Sequence, residues 1–528
     1  MQRLETARRP AELKAKVEPV PTRLGAQSHD QLLLWVASVA QLMVVLDIFV
    51  VNVALPSIRD QLGFSPSGLQ WVLNAYTITF AGFLLFGGRL SDLLGRRRVF
   101  LAALGLFAVS SLAGGLAPDQ ATLIAARALQ GVAAAVLSPA SLTLLTTTFL
   151  DSRARTRAIG IWTAMGGVGG AGGVLVGGVI TDLVSWRWVL LINIPIGVLL
   201  LGLAWFLVSE RKTQGATVGD LDLTGALLVT VGLGALVYGV IEGAAAGWTS
   251  IEAMGGLGGA VVLMVGFGLQ ERWVARRPLL PFGLIRKRSV SVANLVMILV
   301  GAGVFPTFYF LSLYFQQVLG YSPLQAGLAF IPQTLGIVLG AQLAGRLVHR
   351  VGPRVLAVVG PALSAVGLAW LAFLGPHSDY LTSIMVPSVL ATIGGGMAFT
   401  ALAVVAISEA GAQDAGLASG LINDARQIGA AVGLAVLATV AADKTAGVLH
   451  GGAAALLPAA TTSGYTTAFT VAAATALVAM LVGLGIPGRG TVPSRQAAAG
   501  SQSGPSPQLA GFGWRRRSSA RFGWFRSA

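Results

Sequence analysis

The sequence predicts an all-α polytopic membrane protein with fourteen transmembrane helices, in which two six-helix halves flank two additional central helices. Three observations predict this fold: a low content of charged residues, a series of long apolar runs, and the distribution of basic residues between those runs. Of the 528 residues, 55% are hydrophobic and only 11% are charged, whereas soluble domains carry about 25% charged residues. A chain this apolar would lack a polar surface in water, but lipid solvates such a surface in a bilayer.

Fourteen mostly apolar runs reach the roughly 20 residues that a membrane-spanning helix needs. They cover residues 32–55, 69–90, 98–117, 121–147, 157–182, 186–208, 221–243, 253–274, 289–315, 322–347, 354–375, 381–405, 417–441 and 464–486. The first run is too long for the core of a signal peptide, so we expect it to be retained as a helix. The seventh and eighth runs are rich in glycine, and their assignment depends most on the neighbouring loops.

Basic residues alternate between the two sides of the predicted membrane. If the N-terminus is cytoplasmic, the inside loops contain Arg89, Arg96, Arg97, Arg98, Arg153, Arg155, Arg157, Arg211, Lys212, Arg272, Arg276, Arg277, Arg286, Lys287, Arg288, Arg346, Arg350 and Arg354. The outside loops contain only Arg59, Arg187 and Lys444. An error in the helix count would invert this pattern partway along the chain. The positive-inside rule therefore supports fourteen helices with both termini in the cytoplasm.

A short motif occurs twice, in corresponding loops. Residues 88–97 (GRLSDLLGRR) follow the second run, and residues 345–354 (GRLVHRVGPR) follow the tenth. Repeated halves around a central site are a transporter design.

The repeat divides the chain into a basic N-terminal tail (1–31), an N-terminal six-helix half (32–208), two linker helices with their flanking loops (209–288), a C-terminal six-helix half (289–486) and a basic C-terminal tail (487–528). The composition of the last tail favours disorder, although its basic and aromatic residues would also suit the inner membrane surface.

Composition disfavours several other classes of protein. The chain has no cysteine and only four scattered histidines, so a thiolate metal site is excluded and any other metal site is disfavoured. None of the five lysines follows a glycine in a phosphate-binding loop, which argues against an ATP-driven pump. We find no set of nucleophile, base and orienting residue that would indicate an enzyme, and the two-half repeat argues against a channel. A carrier remains, and its direction, export or uptake, stays open at this point.

Asp47 lies among apolar residues in the first predicted helix. A carboxylate at membrane depth costs about 2.5–3.5 kcal/mol on insertion scales and marks a functional site by default. Because burial favours the protonated form of a carboxyl group, Asp47 could take a proton from outside and release it inside. The alternative is a structural hydrogen bond to a neighbouring helix.

The loop after the second helix places Asp92 between arginines and close to the start of the third helix. A carboxylate there is favoured by the helix dipole and by charge pairing. We therefore expect a conformational latch formed by Gly88, Arg89, Asp92, Gly95, Arg96 and Arg97. The alternative is that the arginines only anchor the topology. His349 occupies the position of Asp92 in the second copy, so the two halves should not latch equally.

Glycines recur along the fifth helix between residues 166 and 178. Glycine at helical spacing allows a neighbouring helix to approach closely. We expect Gly169, Gly173, Gly177 and Gly178 to lie at such a contact.

The thirteenth helix contains four consecutive or nearly consecutive polar groups. Asn423 and Gln427 share a helix face, whereas Asp424 and Arg426 are two residues apart and do not. Together with Asn52 of the first helix, these residues are candidates to line a polar cavity. Asp424 lies near the cytoplasmic end and could instead be hydrated.

Four segments together resemble the major facilitator superfamily and, within it, the fourteen-helix drug:proton antiporters of the EmrB/QacA type. They are residues 46–56, 87–98, 186–197 and 314–327. The resemblance implies alternating-access, proton-coupled efflux of amphipathic organic compounds such as antibiotics across a bacterial inner membrane. It implies a small-molecule substrate and protons as partners, and a monomer that needs no cofactor.

The resemblance also assigns roles to two features of the helices. It implies that Arg127, in the fourth helix, has a role in proton transfer. A fixed cation would favour the charged form of a nearby carboxylate, and it could equally hold the helices together. The resemblance links the glycines of the fifth helix to export, although Val174 stands where the family pattern has proline.

Overall fold

The computed structural model describes residues 26–208, 222–275, 278–280, 282–411, 414–449 and 457–487. The predicted tail 487–528 lies outside the described residues except for its first residue, as do residues 1–25 of the N-terminal tail. The same is true of four predicted loop cations: Arg211, Lys212, Arg276 and Arg277.

The described residues contain fourteen helices that are long and apolar enough to cross a membrane, and each coincides with one predicted run. The prediction of fourteen transmembrane helices is therefore confirmed. We number them α1 (Ser28–Leu62), α2 (Trp71–Ser91), α3 (Arg96–Gly115), α4 (Gln120–Thr148), α5 (Ser152–Leu183), α6 (Arg187–Leu207), α7 (Leu223–Gly243), α8 (Ile251–Val274), α9 (Arg288–Val318), α10 (Pro323–Val351), α11 (Pro353–Leu371), α12 (Tyr380–Ala410), α13 (Ala415–Leu449) and α14 (Leu457–Gly483). The last turn of α2 continues to Leu94.

Several helices extend beyond the apolar run that predicts them. Several basic residues that we placed in loops, among them Arg59, Arg153, Arg155 and Lys444, lie within helical turns of α1, α5 and α13. Long basic side chains can keep their charged ends in a polar layer while the backbone remains helical. Apolar runs therefore mark the membrane core but not the ends of the helices.

Three helices are interrupted close to a proline. In α9, a helix ends at Val304, Phe305 forms the junction, and a second helix begins at Pro306. Proline has no backbone N–H and its ring clashes with the preceding turn, so regular hydrogen bonding stops there. Helices α6 and α10 are interrupted just ahead of Pro195 and Pro332. The interruption in α9 directs Phe305 towards the centre of the bundle.

The helices form two groups. One core cluster consists of residues from α1–α6 and of Val208, which follows α6. Another consists of residues from α9–α14, Leu284 of the short helix Phe282–Ile285, and Ile486 after α14. A further cluster joins residues of both groups. Helix α7 packs across the seam between the groups, where Val237 contacts a cluster that includes Ile78 of α2 and Ala435 of α13. Helix α8 packs against α7 through the close approach of Gly256 to Gly239. The two additional helices therefore lie outside the two groups of six.

Hydrogen bonds between helix ends define the two faces of the bundle. At one face, the Arg97 guanidinium of α3 donates to the carbonyl of Trp205 at the end of α6, with an N–O distance of 2.7 Å. Arg354 of α11 donates to the carbonyl of Leu484, after α14, at 2.9 Å. We call the face that contains Arg97 and Arg354 the basic end. At the opposite end, the Trp186 indole donates to the Gln61 side chain at 2.7 Å.

The two groups touch near the opposite end. The Ser312 hydroxyl of α9 donates to the carbonyl of Asn52 in α1 at 2.6 Å. The Gln316 side chain, one turn further along, donates to the carbonyl of Val53 at 3.0 Å. These bonds link helices from different groups and close the space between them at this end.

Candidate functional site

Asp47 of α1 and Arg127 of α4 form a buried ion pair. The distance from Arg127 Nη1 to Asp47 Oδ2 is 2.5 Å, and the side chains are 1% and 0% exposed. Charged groups are taken out of water at high cost, so a buried pair persists only when hydrogen bonds satisfy its remaining atoms. The structure brings together the two residues that the sequence singled out separately.

Amide donors complete the surroundings of Asp47. Its Oδ1 accepts from Asn193 Nδ2 of α6 at 2.9 Å and from Gln130 Nε2 of α4 at 3.2 Å. Gln130 Nε2 also donates to the Ser111 hydroxyl of α3 at 2.7 Å. Asp47 therefore accepts hydrogen bonds that arrive from two helices besides its own.

Arg127 has three neutral contacts in addition to Asp47. Its Nε donates to the carbonyl of Val72 at 3.0 Å and its Nη1 donates to Gln130 Oε1 at 3.0 Å. The guanidinium lies over the Tyr76 ring, 4.5 Å from its centroid, in a cation–π arrangement. These contacts would still hold the guanidinium if Asp47 became neutral. We call Asp47, Tyr76, Arg127, Gln130 and Asn193 the buried polar network.

A small cavity lies between the two groups of helices, next to the buried polar network. Its volume is about 60 Å³, and it is lined by residues of α1, α2, α9 and α13. Asn52 and Gln427, both predicted cavity residues, line it from opposite groups. Ile48, which follows Asp47 in sequence, also lines it. We call this space the central cavity; Asp47 lies behind its wall rather than on its surface.

A larger cavity of about 480 Å³ lies towards the opposite end. Arg59 of α1, Asp443 of α13 and Tyr465 of α14 are among its lining residues. Tyr309 of α9 lines both this cavity and the central cavity, and it is only 3% exposed. The Tyr309 side chain therefore stands between the two spaces.

The predicted glycines of α5 lie on α1. Cβ atoms added at Gly169, Gly173 and Gly177 would lie 2.6 to 2.9 Å from carbonyl oxygens of three successive turns of α1. The middle contact is with Leu46, the residue before Asp47. Only glycine leaves room for backbones this close.

Gly178 faces a different helix. A Cβ atom there would lie 2.6 Å from the carbonyl oxygen of Pro323 and 3.2 Å from the Cα of Gly327, both in α10. Helix α5 therefore contacts α1 within its own group and α10 in the other group. The adjacent residues Gly177 and Gly178 make these two contacts, Gly177 with α1 and Gly178 with α10.

The predicted latch residues are distributed over two helix ends. Gly88 and Arg89 lie in α2, Gly95 has a φ of 92° between α2 and α3, and Arg96 begins α3. That φ favours glycine because other residues rarely adopt it. Asp92 belongs to the last turn of α2, and its side chain lies outside the described part of the chain. Pairing of Asp92 with an arginine therefore stays a prediction.

Two latch arginines contact other helices and loops. Arg89 donates to the carbonyl of Pro278, in the connection between α8 and α9. Arg97 donates to the carbonyl of Trp205, and its guanidinium lies 4.8 Å from the Trp205 ring centroid. These contacts join α2 to the linker helices and α3 to α6.

The remaining polar residues of α13 have different surroundings. Asn423 Oδ1 accepts from Arg426 Nη2 at 2.6 Å. Asp424 is buried, at 6% exposure, and its Oδ1 has no hydrogen-bond partner among the described residues. The burial of Asp424 therefore argues against the alternative that this side chain is hydrated.

Sequence reasoning missed several polar residues of this region. Gln130, Asn193 and Tyr76 belong to the buried polar network, and Asn74 lines the central cavity with both amide atoms unpaired among the described residues. The sequence does carry a signal for Gln130, Asn193 and Asn74, because each is an amide side chain inside an apolar run. A buried amide needs hydrogen-bond partners, so such residues indicate a polar site.

A second buried carboxyl cluster, also missed, lies at the linker helices. Glu271 and Asp222 are 2% and 6% exposed, and Glu271 Oε1 and Asp222 Oδ2 have no hydrogen-bond partner among the described residues. Glu271 Oε2 accepts from the backbone N–H of Leu280 at 2.8 Å, and Asp222 Oδ1 accepts from Gln270 at 3.0 Å. The cluster fixes the connection that also receives Arg89. Among the described residues, no group of three or more His, Asp or Glu side chains could hold a metal ion.

Comparisons with known proteins agree with this architecture. The family model described as Major Facilitator Superfamily matches residues 37–434. The chain is 48% identical to the cephamycin export protein CmcT of Amycolatopsis lactamdurans, over 78% of this chain and 85% of that protein. It is 41% identical to the puromycin resistance protein pur8 of Streptomyces alboniger, over 89% of this chain and 93% of that protein.

Solved structures show the same fold. A bacterial homologue of the human lysosomal transporter Spinster, in an inward-facing and unoccupied conformation, superposes with a TM-score of 0.65 at 17% sequence identity. The match covers 87% of this chain and 97% of that chain.

Proposed function

Because this chain belongs to the major facilitator superfamily, we propose that it exports amphipathic organic compounds, such as antibiotics, in exchange for protons. The observation that carries the proposal is the buried ion pair between Asp47 and Arg127, directly behind the wall of the central cavity. Relatives named for cephamycin export and for puromycin resistance support the outward direction and the class of compound.

Proton binding at Asp47 is the chemical step of the cycle. A proton placed on Asp47 neutralises the carboxylate and removes its attraction to the Arg127 guanidinium. Val72, Gln130 and Tyr76 continue to hold that guanidinium. The two protonation states of Asp47 therefore differ in how tightly α1 is bound to α4.

A change in the position of α1 would reach the other group of helices through two routes. Helix α1 contacts α9 directly through the Asn52–Ser312 bond. It also packs on the glycines of α5, and α5 packs on α10 through Gly178. These contacts close the space at the opposite end, and their separation would open the central cavity in that direction.

The proton gradient supplies the driving force. One charge moved across a membrane potential of 100 mV is worth about 2.3 kcal/mol, so one proton per cycle would bias export usefully. We place the basic end, with both chain termini, in the cytoplasm of a bacterial cell, because the positive-inside rule favours that orientation. A monomer without a cofactor is sufficient for this cycle.

Accumulation of a panel of compounds in expressing bacteria tests the proposal. Puromycin, lincomycin, a cephamycin and ethidium would be measured inside cells with and without a protonophore. We expect lower accumulation of at least one compound, and we expect the protonophore to abolish the difference. Equal accumulation of every compound in expressing and control cells, or a difference that survives collapse of the gradient, would contradict proton-driven export. Higher accumulation in expressing cells would indicate uptake.

A further inference from the structure

Arg426 is a cation inside the membrane-spanning part of α13, about three turns from the start of that helix. Its side chain is partly buried. An arginine at this depth is costly and marks a functional site by default. The proton-coupling step described above does not use it.

The groups around Arg426 are neutral. Its guanidinium carbon lies 5.1 Å from the ring centroid of Phe305 and 5.5 Å from that of Phe399. Its Nη2 donates to Asn423 at 2.6 Å, and its buried Nε has no acceptor among the described residues. A guanidinium has five N–H donors, and Asn423 accepts from only one of its three nitrogens.

No carboxylate of the described residues forms an ion pair with Arg426. The described ion pairs are the Asp47–Arg127 pair and a contact between His29 and Asp30 near the start of α1. Asp424 is two residues away and belongs to another face of α13. Arg127 pairs with the Asp47 carboxylate, whereas Arg426 pairs with no carboxylate of the described part of the chain.

Arg426 does not itself line the central cavity but lies beside two residues that do. Gln427, the following residue, lines that cavity, and so does Phe305, the ring that packs against the Arg426 guanidinium. The central cavity measures only about 60 Å³ in this conformation, so a compound with an aromatic body would enter after the cavity opens; it could then place a flat apolar body against Phe305 and direct an acidic group to Arg426. Arginine suits this task because its planar fork matches a carboxylate in a two-bond arrangement.

We propose that Arg426, with Phe305, Phe399 and Asn423, forms a subsite that binds the carboxylate of an amphipathic organic anion with an aromatic body. The proposal rests on the export function proposed above and narrows its substrate class. In this proposal the carboxylate of the ligand is the counter-ion of Arg426, since no carboxylate of the described residues pairs with that arginine. Arg426 is a binding residue in this account and takes no part in moving the proton.

Binding of a matched pair of small compounds to the purified full-length protein tests the subsite. 1-Naphthylacetate carries a carboxylate, and 1-naphthylacetamide has the same aromatic body without the charge. Isothermal titration should show that the wild type binds the acid at least about tenfold more tightly than the amide, as expected for a hydrogen bond between charged groups. This preference should disappear in Arg426→Gln and persist in Arg155→Gln, which removes an exposed arginine of α5.

Three outcomes would overturn the subsite: no binding of the acid by the wild type, equal affinity for acid and amide, or an unchanged preference in Arg426→Gln. If Arg426→Gln does not fold, the comparison in the wild type still decides, and Phe399→Leu should weaken binding of both compounds. The assay does not depend on transport. Export without a preference for the acid would refute only the subsite, and a preference for the acid without export would refute only the proposed function.

Discussion

Asp47 and Arg127 come from helices α1 and α4, 80 positions apart in sequence, yet their charged atoms are 2.5 Å apart and almost wholly buried. Neither residue would be stable alone at this depth. The pair therefore has two properties that experiments can separate. It stabilises the packing of α1 on α4, and in the proposed cycle its Asp47 carboxylate is the group that binds the proton.

Replacement of one partner should destabilise the protein more than replacement of both. Asp47→Asn leaves the Arg127 charge buried without a counter-ion, and removal of one partner of a buried pair costs about 3–5 kcal/mol. The double variant Asp47→Asn/Arg127→Gln removes both charges and should recover much of the loss. Thermal unfolding of the purified proteins in detergent checks this. A double variant less stable than Asp47→Asn would show that the pair does not act as a unit.

The contact between α5 and α1 should tolerate no side chain at Gly173. A Cβ atom there would lie 2.9 Å from the carbonyl oxygen of Leu46, and overpacking of this kind typically costs about 1–3 kcal/mol. Gly173→Ala should therefore lower the unfolding temperature and the transport rate. Gly172→Ala is the matched control, because no described atom lies within 4 Å of a Cβ atom at that position. Equal effects of the two substitutions would argue against the glycine contact.

Tyr309 should separate the central cavity from the larger cavity at the opposite end. Tyr309→Ala removes the ring that lines both spaces. We expect this variant to let a compound leak down its gradient after the proton gradient is collapsed, because the two cavities would merge. Tyr309→Phe keeps the ring and should not leak. The measurement is loss of a preloaded compound from proteoliposomes that contain each variant. Retention of the compound by Tyr309→Ala, as by Tyr309→Phe, would contradict a barrier role for the ring.

The contact of Arg97 with Trp205 should stabilise the basic end. The arginine donates a hydrogen bond to the Trp205 carbonyl and stacks on the indole. The contact is exposed, and a cation–π contact at an exposed site contributes about 0.5–1 kcal/mol. Arg97→Ala should lower the unfolding temperature. Arg97→Lys should lower it less than Arg97→Ala does, but should not reach the wild-type value because lysine lacks the planar guanidinium. Full recovery by lysine would mean that charge alone matters.

Most of the fold could be predicted from the sequence because each membrane-spanning helix corresponds to its own long apolar run. An apolar run of sufficient length has few alternatives in lipid, and the positions of the arginines check the count. The ends of helices could not be predicted in this way. Arg59 and Lys444 lie beyond the ends of the apolar runs 32–55 and 417–441, but their long side chains allow the helix to continue past them.

The candidate site was predictable only in part. Asp47 and Arg127 were recognisable one at a time, since each is a charge in an apolar run. Their pairing, and the donors Gln130 and Asn193, depend on how α1, α4 and α6 rotate against one another. That rotation is decided by packing between helices, such as the glycine contact of α5 with α1, and no periodicity within a single helix encodes it.

The most direct test of the central claim is proton movement in proteoliposomes that contain the purified protein and a pH-sensitive dye in their lumen. The compound with the largest efflux in the cell assay would be added under an outward gradient of that compound. We predict that the wild type moves protons in the opposite direction to the compound and that Asp47→Asn, if folded, moves none. Proton movement by Asp47→Asn at the wild-type rate, or transport by the wild type without proton movement, would contradict the account.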